Sequence, residues 1–252
     1  MNSAYNKGKL KIIIANNREE AGLSAAKFGA EALKNLLSLK SEVNVMFSAD
    51  PSQNAMLREI IKDEDVEWDR INAFQTDEYV RVGLDTDYSC AHYLNMHIYS
   101  KVTFKHIFYI CCEDDYPALL KKYPIDVVFL GLDENGEIGF NTLQNTKFDD
   151  SEVLKTIELS EDMRYQKVRE HSFASTDDVP KKAKAVTIPT LFSAEYMICI
   201  ASGDNKAQAV YDTINASISE KCPSTIMRRH QHATLFLDSD SAKLLNKDVD
   251  NN

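Results

Sequence analysis

Residues 126–142 read DVVFLGLDENGEIGFNT. The opening DVVFLGL is a continuous apolar run, rich in β-branched and aromatic residues, the pattern of a strand buried on both faces. It breaks at Asp133-Glu134-Asn135-Gly136 into a polar turn, with Glu137, Gly139 and Asn141 beyond. Open α/β sheets bind ligands in the crevice outside the carboxyl ends of their strands. The stretch therefore sets two expectations, a parallel sheet and chemistry at the end of this strand.

Outward from this stretch, apolar strand-like runs alternate with segments of helical periodicity. Strands are expected at 9–15, 43–47, 71–74, 107–111, 185–188, 196–201 and 233–237, and a strand at 156–159 would extend the same sheet. A helix is expected over 18–39, capped by Asn16 or Asn17, because Ala21, Ala25, Phe28, Ala32 and Leu36 recur at helical spacing. Further helices are expected at 53–61, 117–122, 163–170, after 202–206, at 224–229 and at 241–245, before a frayed polar tail. This alternation predicts an α/β fold with a mainly parallel sheet. No repeat or Pro/Gly/Ser-rich linker divides the 252 residues, so one domain is expected.

A net charge of −10 argues against a nucleic-acid partner, which would select a basic face. It leaves room for a small anion held by backbone N–H groups and one lysine. Five cysteines, Cys90, Cys111, Cys112, Cys199 and Cys222, lack metal-ligand spacing and read as buried free thiols. No run is long enough to span a membrane, and MNSAYNKGK has no apolar signal core. A soluble cytoplasmic protein without cofactor or metal is the expectation.

Three more loops follow predicted strands and carry unusual polar content. Residues 48–54 combine small residues with a helix start, which suits an anion, although Asp-Pro-Ser is also an ordinary capping sequence. Asp77 and Glu78 close the strand 71–74, and one carboxylate there can move a carbon-bound proton if burial lifts its pKa. Adjacent acids usually divide into one inward and one solvated, so at most one is catalytic. Lys206 falls in the first turn of a helix, where the macrodipole disfavours a cation, so either an anionic partner or a solvated surface position accounts for it. His92, His97, His106, His230 and His232 read as packed or surface residues.

Taken in order, FSADPSQNAML, FQTDEYV, VVFLGLDENGEIGFN, VPKKAKAVTIPTLFSA, SGDNKAQAV and CPSTIMRRH resemble the glucosamine-6-phosphate deaminase and galactosamine-6-phosphate isomerase family along nearly the whole chain. The resemblance implies a single-domain, three-layer Rossmann-like fold. It also implies conversion of a hexosamine 6-phosphate to a ketose 6-phosphate and ammonia, and a possible homo-oligomer. By the same resemblance Asp77 is the base between C2 and C1. Ser48, Ala49, Ser52, Gln53, Arg164 and Lys206 hold the phosphate, and Asn135 matches a variant subgroup.

The chain departs from the family pattern G-I-G-E-D/N-G-H-I/L-A-F-N-E/D at several places. It has Leu132 and Asp133 for Ile-Gly, Glu137 for the ring-opening histidine, Gly139 for alanine and Thr142 for the acid that tunes that histidine. Glu137 is then the candidate ring-opening group, provided its carboxyl titrates well above its reference value of about 4.3. A non-catalytic sensor of hexosamine phosphates is the alternative. The related lactonases of 6-phosphogluconolactone continue this motif into Ser-Leu-Phe-Pro, whereas Phe140-Asn141 points to the deaminase side.

Overall fold

Every residue of the strand Val127–Gly131 is buried, and its side chains divide between two cores. Val128 and Leu130 enter one, Val127 and Phe129 the other. Such a strand needs helices on both faces. The computed structural model describes residues 3–84, 86–169 and 173–245. In chain order its elements are β1 (Ser3–Lys7), β2 (Leu10–Ile14), α1 (Arg18–Leu39), β3 (Val43–Phe47), α2 (Asn54–Ile60), β4 (Ile71–Gln75), β5 (Asp77–Tyr79) and α3 (Cys90–Leu94). Then follow β6 (His106–Phe108), α4 (Tyr116–Lys122), β7 (Val127–Gly131), β8 (Leu154–Glu158), α5 (Glu161–Arg169), β9 (Lys182–Val186), α6 (Ile188–Phe192), β10 (Tyr196–Ala201), α7 (Ala207–Asn215) and β11 (Ala233–Leu237).

The main sheet has the order β1-β2-β11-β10-β7-β3-β4-β6. All its pairs are parallel except β1 with β2. Leu33, Leu36 and Leu37 of α1, Met56, Leu57 and Ile60 of α2 and Leu94 of α3 cover one face; Leu120 of α4, Leu191 of α6 and Val210 and Ile214 of α7 cover the other. This is the three-layer α/β architecture expected. Phe47 and Phe129, neighbours on the α1 face, stack with centroids 5.3 Å apart. The Asn17 side chain accepts from the Glu20 N–H and starts α1 at the expected place.

Several elements differ from expectation for identifiable reasons. Residues 154–158 and 182–186 do not extend the main sheet; with β5 they form a separate antiparallel sheet, β5-β9-β8. KAKAV alternates apolar and polar residues, and in LKTIE only Ile157 is buried between exposed Thr156 and Glu158, as a sheet with one solvated face requires. Residue 188 begins α6, because Pro189 suits a first helical turn. β6 ends at Phe108, and the Ile110 N–H bonds instead to the Gln75 side chain, 2.8 Å away. The expected helix at 241–245 is a run of tight turns, in which Ser241 Oγ donates to the carbonyl of Ala201. β1 is wholly exposed and pairs with β2 along its whole length. Residue 170 and the tail lie outside the described residues. The five cysteines are free, but only Cys90 and Cys199 are buried, and Cys112 is exposed.

Candidate active site

A cavity of about 430 Å³ opens at the carboxyl ends of β3, β4 and β7. Its volume falls in the range of small-molecule sites, roughly 300–1,000 Å³. Ser48, Ala49 and Asp50 after β3, Asp77 and Tyr79 after β4, Gly131 and Asp133 from β7, and Lys167 from α5 are on its wall. The second sheet anchors the β4 end: Val186 donates its N–H to the Thr76 carbonyl, and Asp77 pairs with Ala185.

Asp77 and Glu78 are both buried, so neither is the solvated member of the pair. They differ in what surrounds the carboxylate. Glu78 accepts from the N–H groups of Tyr79, Cys90 and Ala91 at 2.8, 3.0 and 2.8 Å, so it caps the start of α3 and is a structural group. Asp77 faces the cavity and among the described residues accepts from Thr76 Oγ1 at 3.0 Å and, weakly, Cys90 Sγ at 3.4 Å. Burial is the largest influence on its carboxyl; the Thr76 and Cys90 hydrogen bonds oppose it, and the result is a pKa raised to about 6. A carboxylate of that basicity can take a proton and return it near neutral pH. Gly139 makes this placement possible: with φ of 57°, a Cβ there would lie 2.4 Å from Asp77 Oδ2.

The loop after β3 is braced rather than open. Ser48 Oγ accepts from the Gly131 N–H at 3.1 Å and from Gln53 Nε2 at 2.8 Å, while Gln53 Nε2 also donates to the Ser48 carbonyl. Ser52 and Gln53 are buried behind the loop, with the Ser52 N–H donating to Asp50 Oδ1 at 2.7 Å. Of the residues expected to hold phosphate, Ser48 and Ala49 line the cavity, and Ser52 and Gln53 shape the turn beneath them. Asp50 is set against Gly131 so closely that a Cβ on that glycine would sit 2.1 Å from its Cγ. Burial raises the Asp50 carboxyl, against the pull of Lys206. Arg164 is half-buried on α5, outside the cavity wall.

Lys206 is buried at the start of the turn into α7, and its Nζ meets Asp133 Oδ1 at 3.1 Å. The same oxygen accepts from Gln166 Nε2 at 2.6 Å and from the Glu134 N–H at 2.7 Å; Lys167 Nζ lies 3.8 Å from Oδ2. Burial alone would raise the Asp133 carboxyl, but the charges of Lys167 and Lys206 and the Glu134 N–H outweigh it and hold it at about 2. Sequence reasoning treated Asp133 as a departure from a pattern and did not reach its partner, 73 residues away. Lys167, Asp50 and Cys90 also escaped it; none stands in a motif that by itself announces a site.

Glu137 and Asn135 line a neighbouring cavity of about 730 Å³, with Tyr165 and Gln166 of α5. Glu137 is buried, and Asn135 is exposed. Burial, then the charge of Asp133, push the Glu137 carboxyl up to about 8, so it is mostly protonated at neutral pH. Thr142 is engaged with Gln144 and Asn145 in a local turn. Asn141 ties the loop to the second sheet through its amide, which donates to the Val186 carbonyl at 2.9 Å. His230 is packed: its ring accepts from the His232 N–H and donates to the Ala194 carbonyl.

No family model matches the chain. Among curated proteins, a glucosamine-6-phosphate deaminase of Listeria innocua is 29% identical over 244 residues, covering 94% of this chain and 100% of that protein. Its counterpart from Streptococcus suis is 26% identical over the same coverage. Among solved structures, a monomeric glucosamine-6-phosphate deaminase superposes with a TM-score of 0.80 at 26% identity, covering 92% of this chain and 99% of that one. A 6-phosphogluconolactonase from Trypanosoma brucei gives 0.75 at 15% identity over 96% of this chain, a likeness of fold. The chain resembles enzymes of the glucosamine-6-phosphate deaminase group over 94% of its length in sequence and 92% in structure, and no helix among its described residues is long and apolar enough to cross a membrane.

Proposed function

We propose that the chain is an isomerising deaminase of a 2-amino sugar, with Asp77 as the base. Asp77 takes the proton from C2 of the open-chain aldose and returns it to C1, while the C1 carbonyl oxygen gains, through solvent, the proton that the C2 amino group gives up, leaving a C1 hydroxyl and an imine at C2. Water adds to that imine and ammonia departs, giving the ketose. The observation that carries this reading is Asp77 itself: a carboxylate on the cavity wall, raised by burial to about 6, with Gly139 beside it leaving room for the carboxylate. Spontaneous ring opening supplies the open-chain form. Hexosamine 6-phosphates, the glucosamine and galactosamine forms, are the reference substrates.

The test follows ammonia and ketose phosphate from each sugar phosphate, alongside the unphosphorylated amino sugars. Asp77→Asn should lower turnover roughly 10²–10⁴-fold, the usual contribution of a positioned acid–base group. Turnover that survives this substitution would sink the mechanism. A second reading is favoured by one observation, that Glu137 lines a cavity other than that of Asp77: a sugar sensor without turnover. It is selected if no sugar is converted but the sugars still raise the melting temperature.

A further inference from the structure

The cations that face the cavity are already paired with an acid of the chain itself. Asp133 stands on the cavity wall with one oxygen accepting from Lys206, Gln166 and the Glu134 N–H and the other turned toward Lys167. Two cations, an amide and a backbone N–H converging on one carboxylate form the environment that an external anion would seek. The remaining charges on the wall deepen this polarity. Asp50, Asp77 and Asp87 join Asp133 there, and among the described residues of the wall Lys167 is the one cationic side chain. A phosphomonoester dianion entering this space would meet four carboxyl groups, three of them largely withdrawn from water, and would have to displace Asp133 to reach Lys206. An ammonium-bearing sugar meets complementary charge without displacing anything.

We propose that Asp133 acts as a built-in anion that excludes the phosphate group, so that the site selects a 2-amino sugar whose C6 hydroxyl is unphosphorylated. The inference rests on the amino-sugar reading above and narrows its substrate class. Specificity of this kind arises from repulsion of the wrong ligand as much as from attraction of the right one. Nothing else need change at Asp77, which acts on C1 and C2, because the charge at issue belongs to the far end of the sugar.

Three probes on three proteins test this. Glucosamine, glucosamine 6-phosphate and inorganic phosphate are titrated into the wild-type chain, Asp133→Asn and Asp133→Gly by calorimetry, and both sugars are assayed for ammonia release. The wild-type chain should bind glucosamine at least ~10-fold more tightly than its 6-phosphate, and inorganic phosphate not at all. Asp133→Asn, which keeps the side-chain shape and removes the negative charge beside Lys206 and Lys167, should gain phosphate binding and reverse the preference by ~10-fold or more. Asp133→Gly should do the same, which guards against an amide that still blocks the space. Wild-type preference for the 6-phosphate, or variants that gain no phosphate affinity, would overturn the proposal. The two readings fail separately. If the binding preference holds but neither sugar is converted, the deaminase reading falls and the selectivity stands. If glucosamine 6-phosphate is the better substrate of the wild-type chain, the selectivity falls and the deaminase reading stands.

Discussion

Asp77 and Asp133 stand on the wall of the same cavity and are both largely withdrawn from water, yet one is held at about 6 and the other at about 2. Burial pushes both upward. The difference lies in their neighbours. Asp77 closes β4 beside a hydroxyl, a thiol and the carboxylate of Glu78, with Lys167 only a minor opposing charge. Asp133 follows β7 and meets Lys206, Lys167, an amide and a backbone N–H. An under-compensated carboxylate suits proton transfer, and a fully compensated one suits structure or charge exclusion. Sequence position alone, an acid just beyond a buried strand, does not distinguish them.

The comparison breaks most severely if Asp133 loses its main partner. Lys206→Met leaves a largely buried carboxylate with Lys167 at 3.8 Å, Gln166 and the Glu134 N–H as remaining partners. Removing one member of a buried pair typically costs 3–5 kcal/mol, and urea unfolding at pH 7 should show a loss of about 3 kcal/mol. An unchanged midpoint would mean that Asp133 is solvated and not the compensated partner described.

Asp77 predicts the opposite sign. Its folded carboxyl holds a proton more tightly than the unfolded chain, whose reference value is 3.8. Below about pH 4 both states are protonated and burial carries no electrostatic cost; between about 4 and 6 the unfolded state ionises first, and native stability falls as pH rises. Above about 6 the full cost is present, about 3 kcal/mol for a shift from 3.8 to about 6. Asp77→Asn should therefore stabilise the chain by up to that amount at pH 7 while abolishing turnover, and the gain should vanish near pH 4. Thermal unfolding of both proteins across this range provides the check; a gain independent of pH would point to packing rather than charge.

The same contrast marks what could be read before the structure. β3, β7, β10 and β11 were legible because strands buried on both faces leave unbroken apolar runs. KAKAV carried its own signal, alternation, whereas LKTIE, with apolar residues at 154 and 157, did not mark itself off from a further strand of the main sheet. Ser3–Lys7 left none, since an exposed edge strand needs only backbone pairing. At the site, Asp77 was legible as an acid ending a strand. The neutralisation of Lys206 was not, because Asp133 reaches it only through the folding of β7 against β10 and the turn that follows.

Glu137 supplies the smallest expected effect and sharpens the comparison most. Its carboxyl, pushed to about 8, is mostly protonated at neutral pH and lines a cavity other than the one that Asp77 lines. A group so placed contributes little to proton transfer at C1 and C2. Glu137→Gln should change turnover at pH 7 by less than ~3-fold, against the 10²–10⁴-fold expected at Asp77. Instability cannot imitate a loss, because removing a buried acid whose pKa is raised favours the folded state at that pH by the same linkage as at Asp77. The measurement is kcat/KM against pH. The profile should rise through about pH 6 as Asp77 ionises, in wild type and Glu137→Gln alike. A fall through about pH 8 that the substitution removes would instead make the protonated Glu137 the ring-opening acid. The two cavities would then have to join around the bound sugar, and the contrast would shift from Asp77 and Asp133 to Asp77 and Glu137.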